Sequence, residues 1–394
     1  MSAVLEGVRV LDFGRYIAGP FCATLLADMG AEVIRIEKVD GSEDRFTSPI
    51  NEDGEGAGYV QIGRNKLGLT LNPTKPEGRR VVAKLVATAD VVIANLPAPT
   101  LVTMGLDYQT LKAIKDDIIL TTVSAFGSEG PYADKVGFDA VAQAMSGNMY
   151  MGGFDDEPRK AFVPYCDYGT ASLAAFGTLA AIIHKMKTGE GQLVEGSLLR
   201  TSLTFANAVL IEQSVIGINR TGSGNRGQTA APSDAFKTTD GWVMVQIVGN
   251  PLYARWANLM GEDHWLTDSR FATDQLRGDH AEIISERMAL WCSDKTNQEV
   301  LVRLKEARIP CGEILSPQQA LDNEHVAATE IFKQVDYPGL KKAAPIAETP
   351  VKLSRTPGEI RSRAPTLGEH TARIMAELGY SDEEIATLRE DSVI

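Results

Sequence analysis

The chain has 394 residues, 44% of them hydrophobic and 23% charged, which is enough for two or three domains around at least one large core and excludes a disordered protein. A net charge of −13 argues against general binding to nucleic acid or a membrane surface, so an anionic ligand must be met by a local cluster of lysine and arginine. Cys22, Cys166, Cys292 and Cys311 lack C-x-x-C spacing and the five histidines form no paired ligand motif, which predicts reduced thiols and no metal site.

Met1-Ser2-Ala3 leads directly into a strand-like run without a basic start or apolar leader, so a cytoplasmic protein is expected. Val8 to Phe13 reads as a strand, Pro20 to Met29 as a helix closed by Gly30, and Glu32 to Ile36 as a second strand. The turn of this β-α-β unit, Gly14 to Pro20, carries Pro20-Phe21 where a phosphate loop needs Lys and Ser/Thr. It also lacks G-x-G-x-x-G, so both nucleotide fingerprints fail. Glu37 reads as a solvated strand end. Strand and helix keep alternating: Leu67 to Leu71, Pro76 to Ala87, Val91 to Ala94, helical runs at 101–104 and 108–114, the strand Ile118 to Ser124, and a helix from Phe138 to Met145. This order predicts an α/β fold with an open, mostly parallel, Rossmann-like sheet whose ligands sit beyond the carboxyl ends of the strands. Tyr16, Lys38, Leu71 and Asn95 lie at or just past such ends.

The stretch Val163-Pro164-Tyr165-Cys166-Asp167-Tyr168-Gly169-Thr170 brings one carboxylate to the mouth of the longest apolar segment. From Tyr168 to Ile183 no residue is charged, and the run falls short of the roughly 18 residues of a membrane span. It reads as a core helix buried on most sides, opening at Asp167. Pro164 fixes an extended approach, and Asp167 stands where an N-cap belongs, with the helix dipole holding its carboxylate ionised. An ordinary capping aspartate and a carboxylate nucleophile both fit the local sequence. Helices follow at 168–187 and 198–216, then a flexible stretch from Arg220 to Gln228, a hairpin of Ala235–Thr238 and Trp242–Val248, and helices opened by capping boxes at Thr296, Ser316 and Ser381. The expected division is a large α/β domain built from residues 1–216 and 346–394, a smaller α+β domain at 229–326, and linkers at 217–228 and 327–345.

Val10-Leu11-Asp12-Phe13, Ala18-Gly19-Pro20 and Gly30 through Glu37 together resemble the opening signature of the class III CoA-transferase (CaiB/BaiF) family. That family includes formyl-CoA transferase, carnitine CoA-transferases and the α-methylacyl-CoA racemases. The resemblance continues through Asn65-Lys66, Lys75-Pro76-Glu77-Gly78, Ala89-Asp90-Val91, Met104-Gly105-Leu106, the Asp167 segment and Lys187 to Gln192, and closes at Ile309-Pro310-Cys311-Gly312 and Leu367 to Thr371.

The resemblance implies a transferase that moves CoA from an acyl-CoA donor to a small carboxylic acid acceptor, with Asp167 as nucleophile passing through an aspartyl anhydride and an aspartyl-CoA thioester. It implies CoA as substrate, no tightly bound cofactor, and an interlocked homodimer. Lys38 and Lys75 match the family's CoA contacts, as does Lys135, whereas Arg64 and Lys66 are weaker matches. Tyr16, Ile17, Ala18, Leu71, Asn95, Leu96 and Met104 match positions around adenine and pantetheine. Gly222 to Gln228 corresponds in position to the glycine-rich loop over the site of formyl-CoA transferase, or is only a linker. Ile17 replaces a glutamine of formyl-CoA transferase, Thr103 stands where many relatives have arginine, and Ala171 stands where a glycine is frequent. Phe138 takes the place of the histidine with which racemases move a proton. A racemase or epimerase using Asp167 as acid/base, and an inactive CoA-binding subunit of a heteromeric transferase, are the competing readings.

Overall fold

A computed structural model describes residues 3–155 and 157–394; Met1, Ser2 and Asp156 lie outside it, so the reading of the amino terminus rests on sequence alone. The chain divides into two compact units, one made of Met1–Ser146, Phe162–Leu210 and Ala327–Ile394, the other of Gly147–Ala161 and Ile211–Val326. Residues 147–161 therefore belong to the second unit, where the sequence reading had placed them in the first.

In chain order the elements up to the site are β1 (Arg9–Asp12), α1 (Ala18–Asp28), β2 (Glu32–Glu37), α2 (Ala57–Ile62), β3 (Lys66–Thr70), α3 (Pro76–Thr88) and β4 (Val91–Ala94). Then come α4 (Ala98–Met104), α5 (Tyr108–Ile114), β5 (Ile119–Ser124), α6 (Asp139–Met145), α7 (Asn148–Met151), β6 (Phe154–Asp155), α8 (Tyr165–Thr188), β7 (Leu193–Ser197) and α9 (Leu198–Ile216). The first unit is organised on a six-stranded sheet of order β3-β2-β1-β4-β5-β7, parallel throughout. Parallel strands covered on both faces are expected to be apolar nearly end to end, and all four residues of β4 are buried.

Alternation along each strand divides the core. Leu11, Phe13, Ile34, Ile36, Val92 and Leu120 pack into one cluster that includes residues of α3, α5 and the carboxy-terminal helices. Val10, Val33, Val91, Ile93 and Ile119 pack into another that includes residues of α1 and α8. A smaller cluster joins Tyr59 and Val60 of α2 to Tyr337, Ile346 and Ile360. The expected linker 327–345 holds a strand, Phe332–Val335, paired antiparallel with Ala344–Ala347.

In the second unit a three-stranded antiparallel sheet of Ser233–Lys237, Trp242–Gln246 and Cys311–Glu313 packs on a core containing Trp256, Phe271, Ile284, Met288 and Val300. The stretch expected to be flexible is hydrogen-bonded. Gly222–Ser223 pairs antiparallel with β6, Ser223 Oγ donates to the Arg226 carbonyl at 2.6 Å, and Gln228 Nε2 donates to the Thr221 carbonyl at 2.6 Å. Capping boxes are present at Thr296, Ser316 and Ser381.

α8 is longer than the sequence reading, 24 residues from Tyr165, and by length and apolar composition alone it could cross a membrane. It packs against α1 and the sheet but is not buried on most sides: Leu173, Phe176, Ile183 and Met186 are exposed.

Candidate active site

The floor of the site is laid by charges at the carboxyl ends of β1, β2 and the start of β3. Asp12, fully buried, accepts from the Gly14 N–H at 2.9 Å and from Lys66 Nζ at 2.8 Å. Burial pushes its carboxyl up, but Lys66 and Arg35 hold it below the ordinary value. Arg35 donates to Asp44 at 2.7 Å and also to the Gly14 carbonyl. Next to this group Arg45 forms a second buried cluster, donating to Glu37 at 2.6 Å, Glu55 at 2.8 Å and Tyr59 Oη at 2.6 Å. Glu37 is thus no solvated strand end. Burial opposes its charge, yet the guanidinium bound to it keeps its carboxyl below the usual range.

Above this floor the loop after β1 is fixed by a two-bond bracket. Asn95 Oδ1 accepts the Arg15 N–H at 2.6 Å, and Asn95 Nδ2 donates to the Arg15 carbonyl at 2.8 Å. Between this bracket and α1, Tyr16 adopts φ 59°, a left-handed conformation that persists in a bulky residue only where its surroundings impose it. The bent loop sets the Tyr16 ring edge-on to Phe138, with centroids 5.3 Å apart.

Asp167 enters from α8. The N-cap of this helix is Pro164, which offers no side-chain acceptor, and Asp167 is the third helical residue. The capping role is filled from elsewhere: Asp139, first residue of α6, accepts the N–H groups of Cys166 at 2.7 Å and Asp167 at 3.1 Å through Oδ1. The expectation that Asp167 caps its own helix and is held ionised by the dipole is therefore corrected. Its carboxyl is pushed up to about 7, first by burial and then by the Asp139 charge. Tyr168 packs edge-on against Phe21 with centroids 4.9 Å apart.

Asp167, Tyr168, Tyr16, Ile17 and Phe138 share a largely apolar cavity of about 230 Å³ with Arg35, Asp44, Tyr59 and Lys66. Of the residues singled out from sequence, the fold brings Tyr16, Ile17, Lys66 and Phe138 to the cavity of Asp167. Ala18 is the buried first residue of α1, and Leu71 and Met104 have their side chains in the core, with Leu96 packed against it. Asn95 serves the Arg15 bracket. Lys38 is exposed and paired with Glu43, Lys75 Nζ donates to the Asp391 carbonyl, and the Lys135 ammonium lies 3.8 Å from the centroid of the Tyr132 ring.

None of these three lysines lines the cavity. Arg64 and Lys66 are not available to a phosphate: Arg64 is buried on Asp28 at 2.7 Å, and Lys66 is consumed by Asp12 and the Pro20 carbonyl. Sequence reasoning missed Arg35, Asp44 and Tyr59. Arg35 had a signal, since a charged residue within a β-branched strand needs a buried partner; Asp44 and Tyr59 had none. Among the described residues no group of His, Cys, Asp and Glu is arranged to hold a metal.

A parallel sheet thus carries at its side an apolar cavity on which the Asp167 carboxylate stands, raised by burial. Residues 5–371 match CoA-transferase family III, and the chain belongs to that family. The protein is a class III CoA-transferase.

The chain is similar to a succinyl-CoA–D-citramalate CoA-transferase of Chloroflexus aurantiacus, 33% identical over 99% of this chain and 98% of that one. It is also similar to a succinate–glutarate CoA-transferase of Agrobacterium fabrum, 32% identical over 95% of each. A crystal structure of a CaiB/BaiF family protein from Brucella suis superposes with a TM-score of 0.83 at 29% identity, covering 96% of this chain and 100% of that one.

Proposed function

We propose that Asp167 is the nucleophile of a transfer from a succinyl-CoA-type donor to a small dicarboxylate acceptor. The observation that carries this is the half-buried Asp167 carboxylate on an apolar cavity, with a pKa of about 7. Raised basicity makes it a stronger attacking group than a solvated carboxylate, and an apolar wall keeps water from the activated acyl. The carboxylate attacks the thioester carbonyl; the C–S bond breaks, leaving a mixed anhydride and CoA thiolate. Thiolate attacks the aspartyl carbonyl, releasing the donor acid and forming an aspartyl-CoA thioester. The acceptor carboxylate displaces thiolate to give a second anhydride, and thiolate then takes the acceptor acyl group and returns Asp167. Four exchanges of one activated acyl for another need no further energy source.

Lys38 and Lys75 are the proposed contacts for the CoA phosphates, since in an acidic chain such charges must be local. The phenyl ring of Phe138 at the cavity cannot move a proton, which supports transfer over racemisation, and retention of Asp167 supports an active rather than an idle subunit. Leu173, Phe176 and Met186 of α8, with Phe162 at 96% exposure, are apolar side chains open to solvent in the first unit. A second copy of the chain is the proposed cover, in keeping with the interlocked pair the family resemblance implies.

The test is succinyl-CoA with hydroxylamine and no acceptor. Expected is a hydroxamate on the peptide carrying Asp167, absent in Asp167→Ala; modification elsewhere, or turnover retained in Asp167→Ala, would refute the assignment.

A further inference from the structure

Asp139 lies 28 residues before Asp167 in sequence, yet its side chain is the acceptor at the start of α8. It is buried at 8% exposure. One oxygen takes the N–H groups of Cys166 and Asp167, at 2.7 and 3.1 Å, and the other takes Gln143 Nε2. The backbone of the proposed nucleophile is thus held by a second carboxylate rather than by its own. The same placement puts a negative charge beside Asp167. The other charges facing the cavity neutralise one another, Arg35 on Asp44 at 2.7 Å and Lys66 on Asp12 at 2.8 Å. Among the described residues, the other titratable groups lining this cavity are the phenols of Tyr16, Tyr59 and Tyr168, with the Cys166 thiol next to Asp167 in α8.

Resting on the reading of Asp167 as nucleophile, we propose that Asp139 is its positioning residue: it anchors the first turn of α8, and its charge drives Asp167 from the free carboxylate into the acyl form. Ionised Asp167 is repelled by Asp139, whereas the anhydride and the thioester on Asp167 carry no charge at that carbonyl. Acylation removes the repulsion, so the aspartyl intermediates gain relative to the free enzyme. The burial-raised carboxyl at Asp167, with Asp139 as its second cause, agrees with this arrangement.

Asp139→Asn keeps an oxygen for the two N–H groups and discards the charge, Asp139→Ala discards both, and Asp139→Glu keeps the charge. Each is read as full-length protein with succinyl-CoA, by the acid limb of kcat/KM against pH and by the fraction of hydroxylamine-trapped enzyme. In Asp139→Asn the acid limb moves downward by about one pH unit, and the trapped fraction falls by up to roughly tenfold, the factor that one unit represents. In Asp139→Glu the limb returns toward the wild-type position. Asp139→Ala additionally raises KM, because the helix start loses its acceptor.

An acid limb unmoved in a folded Asp139→Asn, with wild-type trapping, overturns the proposal while leaving Asp167 as nucleophile. Absence of trapping at Asp167 in the wild type overturns both. If Asp139→Asn does not fold, Asp139→Ser, which also keeps an oxygen, takes its place. If both charge-free variants fail to fold, an acid limb displaced downward in a folded Asp139→Glu, which keeps the charge, overturns the charge role and leaves Asp139 as an anchor alone.

Discussion

Replacing Asp167 by Asn should stabilise the fold in alkaline solution while ending catalysis. The carboxyl is displaced from its ordinary 3.8 to about 7, so the folded state holds this proton to a higher pH than the unfolded chain does. The contribution is therefore intact below about pH 4 and is lost as pH rises through about 7. A gap of roughly three units at 1.36 kcal/mol each sets a ceiling of about 4 kcal/mol. Partial exposure and solvent relaxation reduce this to about 2 kcal/mol. Asn carries no titrating proton, so the variant should match wild type at pH 3.5 and exceed it at pH 8.5, by about 4 °C in Tm. Thermal melts across that range decide the matter. A difference that does not change with pH, or a variant less stable than wild type at pH 8.5, would refute the idea that ionising Asp167 is costly.

Lys66→Met strands the buried Asp12 charge, with an expected loss of about 3–5 kcal/mol in urea unfolding. The pair Lys66→Met with Asp12→Asn should recover most of that loss, and equal losses in single and double variants would contradict it. A 2-methylacyl-CoA in deuterium oxide should gain no protein-dependent deuterium at its α-carbon, because proton exchange needs an acid and a base in reach and Phe138 is neither. Uptake without any carboxylate acceptor would favour racemisation. Sedimentation at falling concentration should show a dimer throughout, since an interlocked pair separates only on unfolding; a dilution-dependent monomer would contradict it.

Strands β1 to β5 were legible because each is an apolar run bounded by turns, and β4 is assigned from Val91 to Ala94 in both sequence and structure. β7 was missed: it lies at the sheet edge, and Leu-Val-Glu-Gly-Ser has one fully buried residue. α2 is six residues without a side-chain cap, too short to show a period. Capping boxes were legible at Thr296, Ser316 and Ser381 because both partners lie within one turn.

Asp167 shows the opposite case. Its position at a helix start was visible, but the group that caps that start is Asp139, on another helix, and local sequence favours the nearest carboxylate. Glu37 looked solvated because Arg45, which removes it from water, follows a turn eight residues on. Lys66 and Arg64 looked like phosphate ligands because a charge in a sequence does not disclose that Asp12, on β1, or Asp28, at the end of α1, awaits it.

The Arg45 cluster also sets an order of events during synthesis. Its last acceptor is the carbonyl of Pro365, which takes the Tyr59 hydroxyl at 2.7 Å and the Arg45 guanidinium at 3.3 Å. The Tyr337 hydroxyl reaches Glu55 at 2.7 Å. A nascent chain that has emerged only through α9 holds Arg45, Glu37 and Glu55 but not these closing partners, and the apolar lid of Ile346, Ile360 and Ala364 is still on the ribosome. Burial of the cluster is thus deferred until about the last tenth of translation, after both stretches of the second unit, Gly147–Ala161 and Ile211–Val326, have been made. Until then these charges stay hydrated, and the sheet, whose six strands are all made by Ser197, still lacks Ile374, Met375, Ile385 and Leu388, which cover one of its faces.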